Sequence, residues 1–382
     1  MNVLYVITHG EMGGVHRFLE SVFANHSADV RPVVLSFREG PWLDELRAAG
    51  MTVYCIDGAR ISQPVRLFRE VRSIIEREKI EIVHSSYAWC HTMVTPAARW
   101  SRCRSIWFHH GPISSQRWQG MMPLVPADLL LTNSRYMMSR VTRTFHAAKR
   151  TGVVHYGIDA AKLKPDAGLR ERFRAQWRLD ESSVAVGIVG FLDVWKGQDV
   201  FLEAAKLLAN EKRQMMMFVV GGPRDGLAAE RCQAYETRLR DFVKQNGLCD
   251  FVRFTGHVDV RDGALDGLDV FVHASTEPEP FGASILEAMA KGKAVIASAE
   301  GGPLEMIENS QEGLLIEPRR PDTLARTIEI LAGDRSKRSE LGAAAMKAVN
   351  GKLSVSSAVH RLEDFYRELH RSRAPSPAAK PL

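Results

Sequence analysis

Nowhere does the chain hold the roughly 18 uninterrupted apolar residues that a helix needs to span a bilayer, so no membrane-crossing helix is expected. The opening stretch, MNVLYVITHGEMGG, lacks both a basic leader and a small-residue cleavage site, which predicts a cytoplasmic protein that is not exported. Cysteine is scarce and scattered. Cys55, Cys90, Cys103, Cys232 and Cys249 include no C-x-x-C pair, which argues against a zinc or redox site and for buried reduced thiols. No short-period repeat is present, which excludes solenoids and propellers. The dinucleotide fingerprint G-x-G-x-x-G is also missing after the first strand, so a nicotinamide dehydrogenase loses its main support.

What remains is an ordinary globular composition, 45% apolar and 25% charged over 382 residues, enough for two domains with separate cores. Its charge is uneven. Residues 1–165 hold 21 Lys/Arg against 13 Asp/Glu, whereas the remainder holds 30 against 32. Within the basic half, Arg99 to Arg150 contains nine bases and one acid, Asp128, interleaved with Trp100, Trp107, Trp118, Met121 and Met122. Such a window is either a solvated face or a docking face for anionic headgroups or a pyrophosphate-linked acceptor, with Arg102, Arg104, Arg117 and Trp118 as the candidate contacts. It carries no recognised nucleic-acid motif, so no nucleic acid is expected as a partner.

Short β-branched runs alternate with helical patterns along most of the chain, the signature of parallel sheets built from strand–helix–strand units. NVLYVITHG, VRPVVLSF, MTVYCID, EIVHSS, SIWFHHG, DLLLTNS and TGVVHYG form one series. After a polar break near Asp159 to Pro165, VAVGIVG, MMMFVVGG, FVRFTG, VFVHAS, KAVIAS and EGLLIEP form a second. The expectation is an α/β protein of two Rossmann-like domains, 1–165 and 166–352. A helix over 353–372 is expected to cross back to the first domain, and 373–382 to form a Pro/Ala-rich disordered tail.

Parallel sheets bind ligands beyond the carboxyl ends of their strands, so the loops there are where chemistry is expected. After the first strand, Gly13 and Gly14 open a helix and let backbone amides approach an anion. SIWFHHG ends in His109 and His110, of which His110 is the better placed for a ligand. In GFLDVWKGQD, Gly190 ends a strand and Lys196 stands at a helix start, against the macrodipole, where an anion would resolve the conflict. TEPEPFGASILEAMAKGKAVIAS places Glu279 on a loop and Glu287 on a helix, with the amides of Phe281, Gly282, Ala283 and Ser284 between them. A capping box formed by Ser284 and Glu287 is the structural alternative.

The last stretch resembles the E-x7-E segment of retaining family 4 glycosyltransferases. EMGGVHR, HHG, LTNSRYM, HYGID, WKG, VVGGP, FTGHV, DVFVHAS and GGPLEMIENSQEGLLIEP follow in that family's order along nearly the whole chain. The resemblance implies a GT-B fold of two facing Rossmann-like domains, the first binding an acceptor and the second a nucleotide sugar. It implies that Glu279 contacts the donor sugar, Glu287 the ribose and Lys196 the diphosphate, and that His110 lies near the sugar while Gly13 and Gly14 face the phosphates. One departure stands out. Phe191 follows Gly190 where the family has Arg, so either another base such as Arg224 or Arg17 takes its place, or the donor is held weakly.

The sequence therefore reads as a retaining glycosyltransferase that carries a sugar from a nucleoside diphosphate sugar to a hydroxyl of a glycan or lipid-linked acceptor. It needs no cofactor, and no metal is expected, since no D-x-D site stands at a strand end and the family works without one. The rival is a non-catalytic protein of the same fold that docks on anionic membrane or nucleic acid through its basic first half.

Overall fold

Strands that are apolar on both faces are stable only where helices cover the sheet from both sides, and short Val-, Ile- and Leu-rich runs of this kind recur throughout the chain. The computed structural model describes residues 1–57, 63–111, 126–144, 148–209, 214–223, 229–256, 263–308 and 310–371. They form two sheets in which every strand pair is parallel. The first runs β3 (Thr52–Cys55), β2 (Arg31–Ser36), β1 (Asn2–Ile7), β4 (Ile82–Ser85), β5 (Arg104–His109), β6 (Leu129–Thr132) and β7 (Thr151–Val153). The second runs β10 (Val252–Gly256), β9 (Met215–Val220), β8 (Val184–Val189), β11 (Val270–His273), β12 (Ala294–Ser298) and β13 (Leu314–Ile316). Each order reverses once, between β1 and β4 and between β8 and β11. The loops leaving those strands flank a crevice where this architecture binds ligands.

The chain divides into two compact units, Ile158–Ser354 on one hand and Met1–Gly157 with the chain from Val355 on the other. The division thus precedes the polar break instead of following it. Ile158 donates its N–H to Leu353 O (3.1 Å) and bridges to Ser354, and Lys291 Nζ donates to Lys164 O (2.9 Å), so 158–165 is tied to the second unit. In that unit Val186, Ile188, Met217, Val219, Val272 and Ile296 pack beneath α7 (Gln198–Leu208) and α12 (Pro321–Gly333). Burying each such side chain contributes about 1.5–3 kcal/mol.

The helix α14 (Val355–Arg371) buries Val355, Ala358, Val359, Leu362, Phe365, Tyr366 and Leu369, an apolar stripe at helical spacing. It reaches the first sheet through polar groups. Tyr366 Oη lies 2.8 Å from Tyr5 Oη and 2.6 Å from His84 Nδ1, while Glu363 Oε1 accepts from Ser27 N at 2.8 Å and lies 3.0 Å from His26 Nδ1. The tail over 373–382 lies outside the described residues. All five cysteines are free thiols, but only Cys90, Cys103 and Cys232 are buried. Cys55 is half-buried and Cys249 is exposed, contrary to the expectation of uniform burial.

Candidate functional site

Two loops of the second unit, one leaving β8 and the other leaving β11, are joined at the strand ends. The β8 loop closes in a short 3₁₀ turn, Val194–Lys196, followed by Gly197 at φ +72°, which caps α7. A Cβ at Gly197 would collide with the carbonyl oxygen of Ala274, so only glycine lets the loops approach this closely. Thr276 N donates to Trp195 O at 2.8 Å and adds a backbone link. On its other side the β11 loop is held by Gly302 N, which donates to Glu279 O at 2.8 Å, and by Ser298 Oγ, which donates to Ser275 O at 2.8 Å. A segment broken by Pro278 and Pro280 is thereby fixed on three sides.

This backbone brings Lys196 and Glu279 together. Lys196 Nζ donates to Glu279 Oε2 at 2.8 Å and sits 3.9 Å from the Trp195 ring centroid. Lys196 precedes the capping glycine instead of opening α7, so the conflict with the macrodipole expected from sequence is small, and the anion that answers its charge is Glu279 itself. Burial pushes the Glu279 carboxyl up, but Lys196 and then His273 outweigh it and hold the pKa at about 2. His273 Nε2 lies 3.3 Å from Glu279 Oε2 and Ser275 Oγ donates to the same oxygen at 3.3 Å. Neither residue stood out in the sequence as a site residue. The available signal was a histidine inside the apolar strand VFVH, where a polar side chain needs a buried partner.

Beyond Glu279 the helix α10 (Ala283–Ala290) begins behind Gly282, whose φ of +105° suits glycine. Among the described residues no side chain caps it. Ser284 lies inside the helix instead of at its N-cap, so the capping box is not formed, and Glu287 is half-buried on the same helix. Phe281 is buried beneath the helix start. Gly190 follows β8 at φ +151°, and Phe191 beside it is 46% exposed. Of the bases proposed to replace the missing Arg, Arg224 lies outside the described residues and Arg17 is half-buried on α1 (Gly14–Asn25) of the first unit. Arg231, which sequence reading passed over, pairs with the buried Asp193 of the β8 loop at 3.0 Å.

In the first unit Gly13 is the extended N-cap of α1, and neither it nor Gly14 needs glycine for its own backbone or packing. His110 is buried, with Nδ1 2.7 Å from Tyr156 Oη and Phe108 stacked on its ring at 4.1 Å. Burial drives its pKa well down, so it is neutral. Asn133 Nδ2 donates to the His110 carbonyl oxygen at 3.0 Å, and His110 Nε2 is buried with no hydrogen-bond partner among the described residues. His109 is likewise buried and neutral. Arg102 is exposed, Arg104 pairs with Asp128 at 3.6 Å, and Arg117 and Trp118 lie outside the described residues.

Residues 12–162 match the model of Glycosyltransferase Family 4, and residues 170–348 that of Glycosyl transferases group 1. A GDP-mannose-dependent alpha-(1-6)-phosphatidylinositol monomannoside mannosyltransferase of Mycobacterium tuberculosis is 29% identical over 63% of this chain and 62% of its own. A D-inositol 3-phosphate glycosyltransferase of Salinispora tropica is 31% identical over 65% of this chain and 53% of its own. The chain thus spans only about half to three-fifths of these relatives. In three dimensions, Anabaena Alr3699/HepE in complex with UDP and glucose superposes with a TM-score of 0.81 at 23% identity, over 96% of this chain and 99% of that one. A Rickettsia africae glycosyltransferase gives 0.82 at 19% identity, over 98% and 99%. The fold is therefore GT-B, and with both units matched in order the chain belongs to the group 1 and family 4 glycosyltransferases.

Proposed function

We propose that the protein is a retaining, metal-independent glycosyltransferase that moves a sugar from a UDP- or GDP-linked donor to a hydroxyl of a glycan or lipid-linked acceptor. The pathway proposed is cell-surface polysaccharide or lipopolysaccharide assembly. The observation that carries this reading is the Lys196–Glu279 pair on two stitched loops at the switch point of the second sheet, beside the uncapped start of α10. In the reaction the bond from the anomeric carbon to the diphosphate breaks, leaving negative charge on phosphate oxygen. Lys196 and the α10 amides meet that charge as it forms. The acceptor oxygen bonds the same face of the sugar, and its proton passes to the departing diphosphate. Relatives support either base, since one is named for GDP-mannose and a structural neighbour holds UDP.

A thermal-shift screen against UDP, GDP and ADP and their sugar conjugates tests the donor. The cognate nucleotide at about a hundredfold over its Kd raises stability by about 2.7 kcal/mol. No shift with any nucleotide, or a product of inverted anomeric configuration by proton NMR, would overturn the proposal.

We also propose a cytoplasmic location with peripheral contact to an anionic membrane. Supporting this, Trp100 is 68% exposed at the end of α4 (Ala88–Trp100), with the Arg72 guanidinium 6.0 Å from its ring centroid and Phe68 edge-on at 6.0 Å. Arg66 and Arg69 on α3 (Pro64–Arg77), with Arg99 and Arg102, are exposed, against the acids Glu70 and Glu76 that pair with Arg66 and Arg72. Each base near a headgroup layer adds about 1 kcal/mol, and an indole suits the interface. The protein is expected to float with phosphatidylglycerol-containing vesicles, to release in salt, and to lose binding in Trp100→Ser and Arg69→Ser. Equal binding to neutral vesicles, or no change in the variants, would make the patch a solvated face. Among the described residues no helix is long and apolar enough to cross a membrane.

A further inference from the structure

The carboxylate of Glu279 is held asymmetrically. Lys196 Nζ at 2.8 Å, His273 Nε2 at 3.3 Å and Ser275 Oγ at 3.3 Å all end on Oε2, and Oε1 takes no hydrogen bond among the described residues. An ionised carboxylate only accepts, so both the hydroxyl and the imidazole must donate to it, which puts the imidazole proton on Nε2. That nitrogen also lies 3.0 Å from Ser275 Oγ, so one N–H serves the pair, and Nδ1 is left buried with no hydrogen-bond partner among the described residues. His273 ends β11 and Ser275 stands two residues on, with Ser298 on the neighbouring strand fixing the backbone between them. These two groups are anchored in the sheet, whereas Lys196 sits on a long flexible stem.

The difference matters when the donor arrives. On the reading above, Lys196 neutralises the diphosphate, yet without a ligand its ammonium is bonded to Glu279. It must loosen one contact to make the other, and a buried carboxylate abandoned by its cation loses both charge partner and orientation.

We infer that His273 and Ser275 are positioning residues that keep Glu279 Oε2 in place when Lys196 transfers to the diphosphate, so that Oε1 stays aimed at the hydroxyls of the donor sugar. This deepens the glycosyltransferase reading and rests on it for its catalytic consequence. The cradle itself stands on the geometry alone.

Two measurements separate the levels. Long-range proton–nitrogen NMR of the imidazole in the unliganded protein reads the tautomer whatever the activity, and a proton on Nε2 with bare Nδ1 is expected. A proton on Nδ1 overturns the cradle. Calorimetry and kinetics then compare the nucleoside diphosphate with its sugar conjugate in His273→Leu, His273→Gln and Ser275→Ala. In His273→Leu the donor's kcat/KM should fall roughly 10- to 100-fold, the worth of a hydrogen bond to a charged group. Its affinity for the free nucleoside diphosphate should stay within about threefold. Glutamine, whose amide nitrogen replaces Nε2–H, should recover most of the loss. Wild-type-like transfer in His273→Leu, or failure of glutamine to rescue at unchanged melting temperature, overturns the inference while leaving the enzyme reading intact. A wild-type protein that binds no nucleotide overturns both.

Discussion

Lys196→Ala should lower transfer by about a hundredfold or more and should also give the enzyme an acid limb that the parent lacks. The first effect is the scale expected when one preorganised electrostatic stabiliser of a leaving group is removed. The second follows from the balance at Glu279, where burial pushes the carboxyl up and Lys196 is the largest force bringing it down to about 2. Without the ammonium, burial is opposed mainly by His273, and the pKa must rise. The active, ionised form is then lost as pH falls through the new value, within a range where the parent does not titrate. Stability moves with the same sign. A carboxyl depressed in the folded state contributes above its unfolded value of 4.5 and loses that contribution as pH falls toward about 2, so the variant should lack this part of the parent's acid-side stabilisation. Profiles of kcat/KM between about pH 5 and pH 8 for both proteins decide the matter. An active Lys196→Ala beside an inactive Arg224→Ala or Arg17→Ala would move the phosphate charge elsewhere.

Glu279→Ala and Glu287→Ala should fail in different ways. Glu279 is fixed on the loop by Gly302 N and by its own side-chain partners, whereas Glu287 stands on the second turn of α10. If Glu279 serves the sugar, its loss cuts turnover by roughly 10- to 100-fold or more and barely changes affinity for the free nucleoside diphosphate. If Glu287 serves the ribose, its loss weakens that affinity by about 1–3 kcal/mol. Isothermal titration with nucleoside diphosphate separates the two, and equal binding losses would sink the assignment of roles.

The strands were legible because each is a short apolar run bounded by polar or glycine residues, and all thirteen described strands fall on runs readable in the sequence. Lys196, Glu279 and the start of α10 were legible because they sit in loops at strand ends, where the architecture puts ligands. What faces what was not legible. Pairing Lys196 with Glu279 requires two loops 83 residues apart to meet, and the glycine that permits it, Gly197, reads locally as an ordinary turn. His273 escaped notice for the same reason, since its partner lies across a proline-broken loop. The capping box failed because Gly282, in a left-handed conformation, starts the helix ahead of Ser284, and local spacing carries no backbone angle. The division falls at Gly157 and not at 165 because the polar segment, which resembles a linker in sequence, is hydrogen-bonded to the second unit.

Tyr5 and Tyr366, joined hydroxyl to hydroxyl, are 361 residues apart. A ribosome adding roughly 5–20 residues each second takes on the order of 20–70 s to cover that distance. Throughout that interval the nascent first unit carries Tyr5 and His84 without the cover that Tyr366 gives them, while the second unit is made as one uninterrupted segment. The first unit is therefore completed only after all of Ile158–Ser354 has been made, so its packing waits on the synthesis of α14 and not on the emergence of its own sheet alone.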